Sequence, residues 1–165
     1  MQRAISKENT VSRWVGIAAT STLIDRKLFT SGLERFARWD MPVVVDERVH
    51  GRFRSFAGSD ENRADALLDL LRDRKVGTIW CARGGYGATR LLSRLDRAGA
   101  PALLRRDPKL LVGYSDVTAL HLYVHQRTRL PTLHGPMPAT PSWQNLPSRT
   151  DRILRQTLTG TLPLG

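Results

Sequence analysis

The chain has 165 residues, with 26 Lys+Arg against 15 Asp+Glu and a formal charge of +11; that length is one ordinary domain or one part of a larger protein, and is ample for a buried core. A composition of 41% hydrophobic and 25% charged residues excludes disordered and fibrous classes. The single cysteine, Cys81, excludes an internal disulfide and, with no Cys/His cluster, a familiar zinc framework.

The pattern alternates short apolar runs with helical periodicity, the signature of βαβ units and a parallel sheet. Trp14 to Ala19 reads as a first strand, and Asp25 to Trp39 as an amphipathic helix that places Leu28, Phe29, Leu33 and Phe36 on one side. After Pro42, the β-branched Val43-Val44-Val45 is a second strand. The basic loop HGRFRSFAGSD follows, in which Ser59 or Asp60 can cap a helix with Ala64, Leu67, Leu68 and Leu71 at three-to-four spacing. Gly77 to Ala82 is a third strand. It leads through the glycine-rich turn Arg83-Gly84-Gly85-Tyr86-Gly87 into a short helix with Leu91, Leu92 and Leu95. Lys109 to Tyr114 is a fourth strand, running into Ser115-Asp116 and a helix with Val117, Leu120 and Val124 on one face. Leu130 to His134 reads as a fifth strand, Pro136 to Pro147 as a Pro-rich loop, and Asp151 to Leu158 as a last helix before TGTLPLG. The expected fold is α/β, three-layer, with a mostly parallel sheet of flavodoxin or Rossmann type.

No apolar run approaches the ~20 residues of a membrane span, and from the polar N-terminal MQRAISKENTVSR no signal peptide is expected. A cytoplasmic chain with no membrane partner is expected. The positive charge invites a nucleic-acid reading, because Lys and Arg neutralise phosphates. Yet 22 of the basic residues are Arg and 4 are Lys, scattered along the chain, and no binding module accompanies them. The expectation is an arginine-rich surface with no specific nucleic-acid partner.

In an open parallel sheet ligands gather beyond the carboxyl ends of the strands, which draws attention to RGGYG and GYSD. A serine between strand and helix sits on a sharp turn beside the outward-pointing N–H groups of the helix's first turn. A nucleophile needs that setting, because preorganised N–H donors stabilise the oxyanion formed on attack. The G-x-S-x-G pattern wants a second glycine where this chain has Val117, and on residues alone Ser115 reads as a helix cap. RGGYG fits a flexible turn, a phosphate cradle assisted by Arg83, or a second oxyanion donor facing Ser115. Neither G-x-G-x-x-G nor G-x-x-x-x-G-K-[ST] is matched. His121 and His125 have metal-ligand spacing without the Glu of H-E-x-x-H, so packing or solvated roles are expected. His134 ends a strand beside Gly-Pro, and Cys81 reads as a buried, inert thiol. No His–carboxylate pair stands out as the base for Ser115.

Taken together, FAGSDENRADALLDL (Phe56–Leu70), CARGGYGATRLLSRLD (Cys81–Asp96), LLVGYSDVTALHL (Leu110–Leu122) and LHGPM (Leu133–Met137) resemble, in order and spacing, the N-terminal half of the LD-carboxypeptidases, the muramoyltetrapeptide carboxypeptidase family of serine peptidases. The Ala18-Ala19-Thr20-Ser21 turn resembles that family's first strand-end loop. The resemblance implies hydrolysis of the L,D bond to the terminal D-alanine of cytoplasmic murein tetrapeptides, during peptidoglycan recycling, by a Ser-Glu-His triad without metal or other cofactor. It maps the nucleophile to Ser115 and the oxyanion hole to the backbone amides of Asp116 and Gly85. Arg83, Gly84 and Tyr86 become substrate-binding candidates. Residues 1–165 then form the nucleophile-bearing domain of a two-domain enzyme. The Glu and His belong to a C-terminal domain absent from this chain, which alone is expected to be inactive. Expected partners are the muropeptide substrate and that second domain, with homodimerisation left open. The resembling microcin-C immunity peptidases also use a GYSD-type serine, but their glycine-rich segment departs from RGGYGATRLL. A non-catalytic muropeptide-binding remnant is the third reading.

Overall fold

A computed structural model of the chain describes residues 14–159; the N-terminal segment read for a signal peptide and the last six residues of TGTLPLG lie outside them. Five strands, β1 (Trp14–Ala18), β2 (Val43–Val45), β3 (Val76–Cys81), β4 (Leu110–Gly113) and β5 (Leu133–His134), form one sheet in the order β2-β1-β3-β4-β5. Every pairing is parallel. This is the flavodoxin-like winding, whose switch point lies between β1 and β3.

Among the described residues seven α-helices cover the sheet: α1 (Arg26–Arg38), α2 (Asp60–Arg72), α3 (Leu92–Arg97), α4 (Ala100–Arg106), α5 (Thr118–Thr128), α6 (Pro141–Gln144) and α7 (Ser148–Leu158). Side chains alternate along each strand, so Ile79, Cys81 and Leu111 join a leucine-rich layer with α2 to α5. Val15, Ile17, Trp80 and Val112 join an aromatic layer with α1, α6 and α7. The three-layer α/β architecture is as the sequence pattern requires.

Local chemistry sets the helix starts. Asp25 accepts the Leu28 N–H at 2.9 Å, and Ser59 accepts the Asn62 N–H at 3.1 Å, as capping requires. Two helices depart from the sequence reading. α4 starts with Pro101 in its first turn, and α6 with Pro141 likewise; proline is tolerated there because that N–H has no intrahelical partner. The Pro-rich stretch is therefore not simply a loop: it delivers Trp143, fully buried, against Trp80 at 5.1 Å, Phe36 at 5.2 Å and Trp39 at 5.5 Å between ring centroids. Its indole N–H donates to Gly32 O at 2.9 Å. A methyl at Gly32 would stand 2.1 Å from Pro138 O, so this segment and α1 meet backbone to backbone. β5 is shorter than expected, since Pro131 has no N–H to give a ladder.

Among the described residues Arg35, Arg63 and Lys109 are buried, and the last two are each only 1% exposed. Lys109, at the amino end of the strands, donates to Asp73 O (2.7 Å), Val76 O (2.6 Å) and Asp107 Oδ2 (3.0 Å). Arg63, at the carboxyl end, donates to Thr20 O, to Gly87 O (3.1 Å) and to Asp60 Oδ1. Burial pulls its guanidinium below the ordinary arginine range, against the pull of Asp60.

Candidate active site

The loops after β1, β3 and β4 converge at the carboxyl end of the sheet. Ser115 follows β4 after one residue, Tyr114, and opens a short 3-10 turn (Ser115–Val117) that runs into α5. Its φ is +63°, a left-handed conformation that costs a residue with a Cβ roughly 1–2 kcal/mol. The turn is made possible by Gly113, where a methyl would lie 2.8 Å from Val117 Cγ1 and 3.2 Å from Cys81 Cβ. The close approach thus falls two residues before the serine rather than two after it, and Val117 is fully buried. Ser115 does not cap the helix, as its residues alone suggested: the N-cap is Tyr114, and no side chain bonds there. The serine is exposed, and among the described residues its hydroxyl has no hydrogen-bond partner.

The glycine-rich loop lies against this turn. A methyl on Gly84 would stand 3.2 Å from Ser115 Cβ and 3.2 Å from Tyr114 O. Three neighbours pin the loop. Thr22 Oγ1 donates to Gly84 O at 2.8 Å, Arg63 donates to Gly87 O, and Asp116 Oδ2 accepts the Ala88 N–H at 3.0 Å. Gly85 and Gly87 have φ of +116° and +122°, which glycine adopts without penalty. Among the described residues no acceptor takes up the N–H of Gly85 or of Asp116. Arg83 is exposed and makes no ion pair among the described residues. Tyr86 is 59% exposed and leans on Phe56, with centroids 5.9 Å apart.

The structure therefore brings Ser115, Asp116, Gly84 and Gly85 together, with Arg83 and Tyr86 on the same loop. Thr22 and Arg63, which hold that loop, were missed by sequence reasoning; their contacts span 62 and 24 positions, and no local pattern signals them. His121 is also part of the support. Its Nε2–H donates to Gly113 O at 2.9 Å, while its buried Nδ1 has no partner among the described residues. Burial lowers its pKa below 6.5, the backbone bond acting in the other direction. His134 lies 6.2 Å from His121 and 6.1 Å from Tyr114, centroid to centroid. The Cys81 thiol is buried and pushed up to about 12 by desolvation, so it is no nucleophile at neutral pH. Among the described residues no group of three His, Cys, Asp or Glu side chains is placed to hold a metal ion, and no helix is long and apolar enough to cross a membrane.

A strained, exposed serine between a parallel strand and a helix, with free backbone N–H groups beside it, is the geometry in which α/β hydrolases carry their nucleophile. Comparison with known proteins narrows this class. Residues 15–135 match the family described as the LD-carboxypeptidase N-terminal domain, and the chain belongs to this family of serine peptidases. The murein tetrapeptide carboxypeptidase of Pseudomonas aeruginosa is 30% identical over 123 residues, covering 74% of this chain and 39% of its own length. Among solved structures, a muramoyltetrapeptide carboxypeptidase from Oxalobacter formigenes superposes with a TM-score of 0.75 at 25% identity, over 87% of this chain and 47% of its own. The microcin C7 self-immunity protein does so at 0.80 and 25% identity, over 90% and 45%. The chain spans about two-fifths of the length of the curated relatives it matches.

Proposed function

We propose that this chain is the nucleophile-bearing part of a cytoplasmic LD-carboxypeptidase of murein recycling, which releases the terminal D-alanine of murein tetrapeptides. The observation that carries the reading is Ser115: left-handed, exposed, with an unengaged hydroxyl, and bordered by two N–H groups without acceptors. In the reaction, Ser115 Oγ attacks the scissile carbonyl carbon and passes its proton to a histidine. The oxyanion accepts from the N–H groups of Asp116 and Gly85. The tetrahedral intermediate collapses, the histidine returns the proton to the leaving amine of D-alanine, and water then hydrolyses the acyl-serine. Arg83, unpaired on the neighbouring loop, offers its guanidinium to the terminal carboxylate that a carboxypeptidase must recognise. The histidine and its orienting glutamate come from a second domain, since none of the described histidines bonds to Ser115.

The test is D-alanine release from a murein tetrapeptide. The 165-residue chain alone gives no release above that of Ser115→Ala, because a triad acts as a unit and loss of the base costs roughly 10⁴–10⁶ in kcat. Joined to the C-terminal portion of the Pseudomonas relative, it releases D-alanine, and Ser115→Ala abolishes this. Robust release by the chain alone that Ser115→Ala removes would overturn the two-domain part of the reading. The backbone match at a TM-score of 0.80 supports a second reading, cleavage of a peptidyl-nucleotide of the microcin-C type. The same joined protein offered both substrates separates the two.

A further inference from the structure

We propose that Thr22 is the positioning residue of the oxyanion hole: its hydroxyl fixes which way the Gly84–Gly85 peptide faces, and so aims the Gly85 N–H at the Ser115 side. This rests on the serine-nucleophile reading above. The carbonyl of Gly84 and the N–H of Gly85 belong to one planar trans peptide and point in opposite directions. Thr22 Oγ1 holds that carbonyl at 2.8 Å, so the N–H is turned away from Thr22. The Ser115 turn lies on the other side of Gly84, so close that a methyl there would stand 3.2 Å from Ser115 Cβ.

Among the described residues no other hydrogen bond holds this plane. Neither Gly84 nor Gly85 has a Cβ to resist rotation. A half turn would exchange carbonyl and N–H and carry Gly85 from φ +116° to about −64°, which every residue type adopts. The observed state is the one that glycine alone holds freely, and the alternative is the ordinary one. Arg63 and Asp116 grip the loop at Gly87 and Ala88, beyond the plane in question. Thr22 itself is fixed from both sides: it bridges Phe56 in antiparallel fashion, the Leu23 N–H donates to Ser55 O at 3.0 Å, and Ser21 O accepts the Ala57 N–H at 3.1 Å. A hydroxyl on so firm a base is a suitable latch for a Gly-Gly peptide that would otherwise turn over.

The experiment uses the ¹⁵N-labelled full chain with Thr22→Val, which removes the donor and keeps the shape, and Thr22→Ser, which restores it. The three-bond HN–Hα couplings of Gly85 report its φ. The probe is a peptide boronic acid, whose boron replaces the scissile carbonyl carbon and becomes a tetrahedral anion on Ser115 Oγ. Wild type and Thr22→Ser keep one Gly85 conformation and a boronate-induced shift of its amide. Thr22→Val loses both and binds the boronate ten- to a hundredfold more weakly. Thr22→Ala, which removes the donor with less bulk, repeats the loss, so the idea stays testable if Thr22→Val fails to fold. Wild-type couplings in Thr22→Val overturn the proposal, and so do altered couplings with unchanged boronate affinity. A boronate that binds Ser115→Ala as tightly as wild type overturns the nucleophile reading instead, while the Gly85 couplings still decide the orientation.

Discussion

Lys109 and Arg63 are the same device at opposite ends of one sheet. Each is 1% exposed, and each donates to two backbone carbonyls and one carboxylate. The Lys109 end ties the turn after α2 to the start of β4 and carries no other candidate chemistry. The Arg63 end ties the loop after β1 to the glycine-rich loop after β3, beside the strained serine. Buried ion pairs add little net stability compared with apolar packing, so their value here is geometric. The fold closes both ends alike, but only at the carboxyl end does closure also hold a reactive arrangement.

Arg63→Met and Lys109→Met provide the largest test of that contrast. Each removes a buried cation and leaves two backbone carbonyls without that donor, so urea unfolding shows a loss of about 1–3 kcal/mol for each carbonyl left unsatisfied. Only Arg63→Met moves the Gly85 and Asp116 amide resonances; equal movement in Lys109→Met breaks the contrast. The next effect is smaller and of opposite sign. Ser115→Gly relieves the left-handed strain at φ +63° and raises stability by about 1 kcal/mol, read as a higher denaturation midpoint. A drop instead means that the Ser115 end stores no strain.

The smallest effect is a pH slope confined to the carboxyl end. His121 has its pKa lowered below 6.5 chiefly by burial, so the unfolded chain binds more protons there. Its contribution is complete above pH 6.5 and is lost as pH falls through that value toward the folded-state pKa. Stability therefore declines on acidification below about pH 6.5, and His121→Gln flattens that part of the curve. An unchanged slope removes His121 from the support of Gly113.

The alternation of strands and helices was legible because buried parallel strands and amphipathic helices leave periods of their own. Val43–Val45 and the Ser59 cap fell where the residues put them. The Pro136 to Pro147 stretch read as a loop and no helix was read at Pro101, yet Pro101 and Pro141 both open helices, since proline excludes a helix interior but not its first turn. At the site, the GYSD and RGGYG segments were visible as unusual content beyond strand ends. Gly113 suited a tight approach before the serine, and the structure places it there; the left-handed φ of Ser115 was not legible, because the position where a second glycine was expected holds a buried valine. The latch on Gly84 and the strut of Arg63 were invisible for a different reason. They are contacts between loops far apart in sequence, and periodicity carries no record of them.

Trp143 has a consequence for synthesis. A ribosome delivers residues in order at ~5–20 per second, so Phe36, Trp39 and Trp80 leave the exit tunnel seconds before the ring that covers them. During that interval one face of the nascent sheet is a sticky aromatic surface. The last quarter of the chain, through Trp143 and the Arg35–Asp151 pair that follows it, is what seals it. A ribosome stalled between β5 and α6 would display a client for holdase chaperones, although every strand of the sheet had already been made.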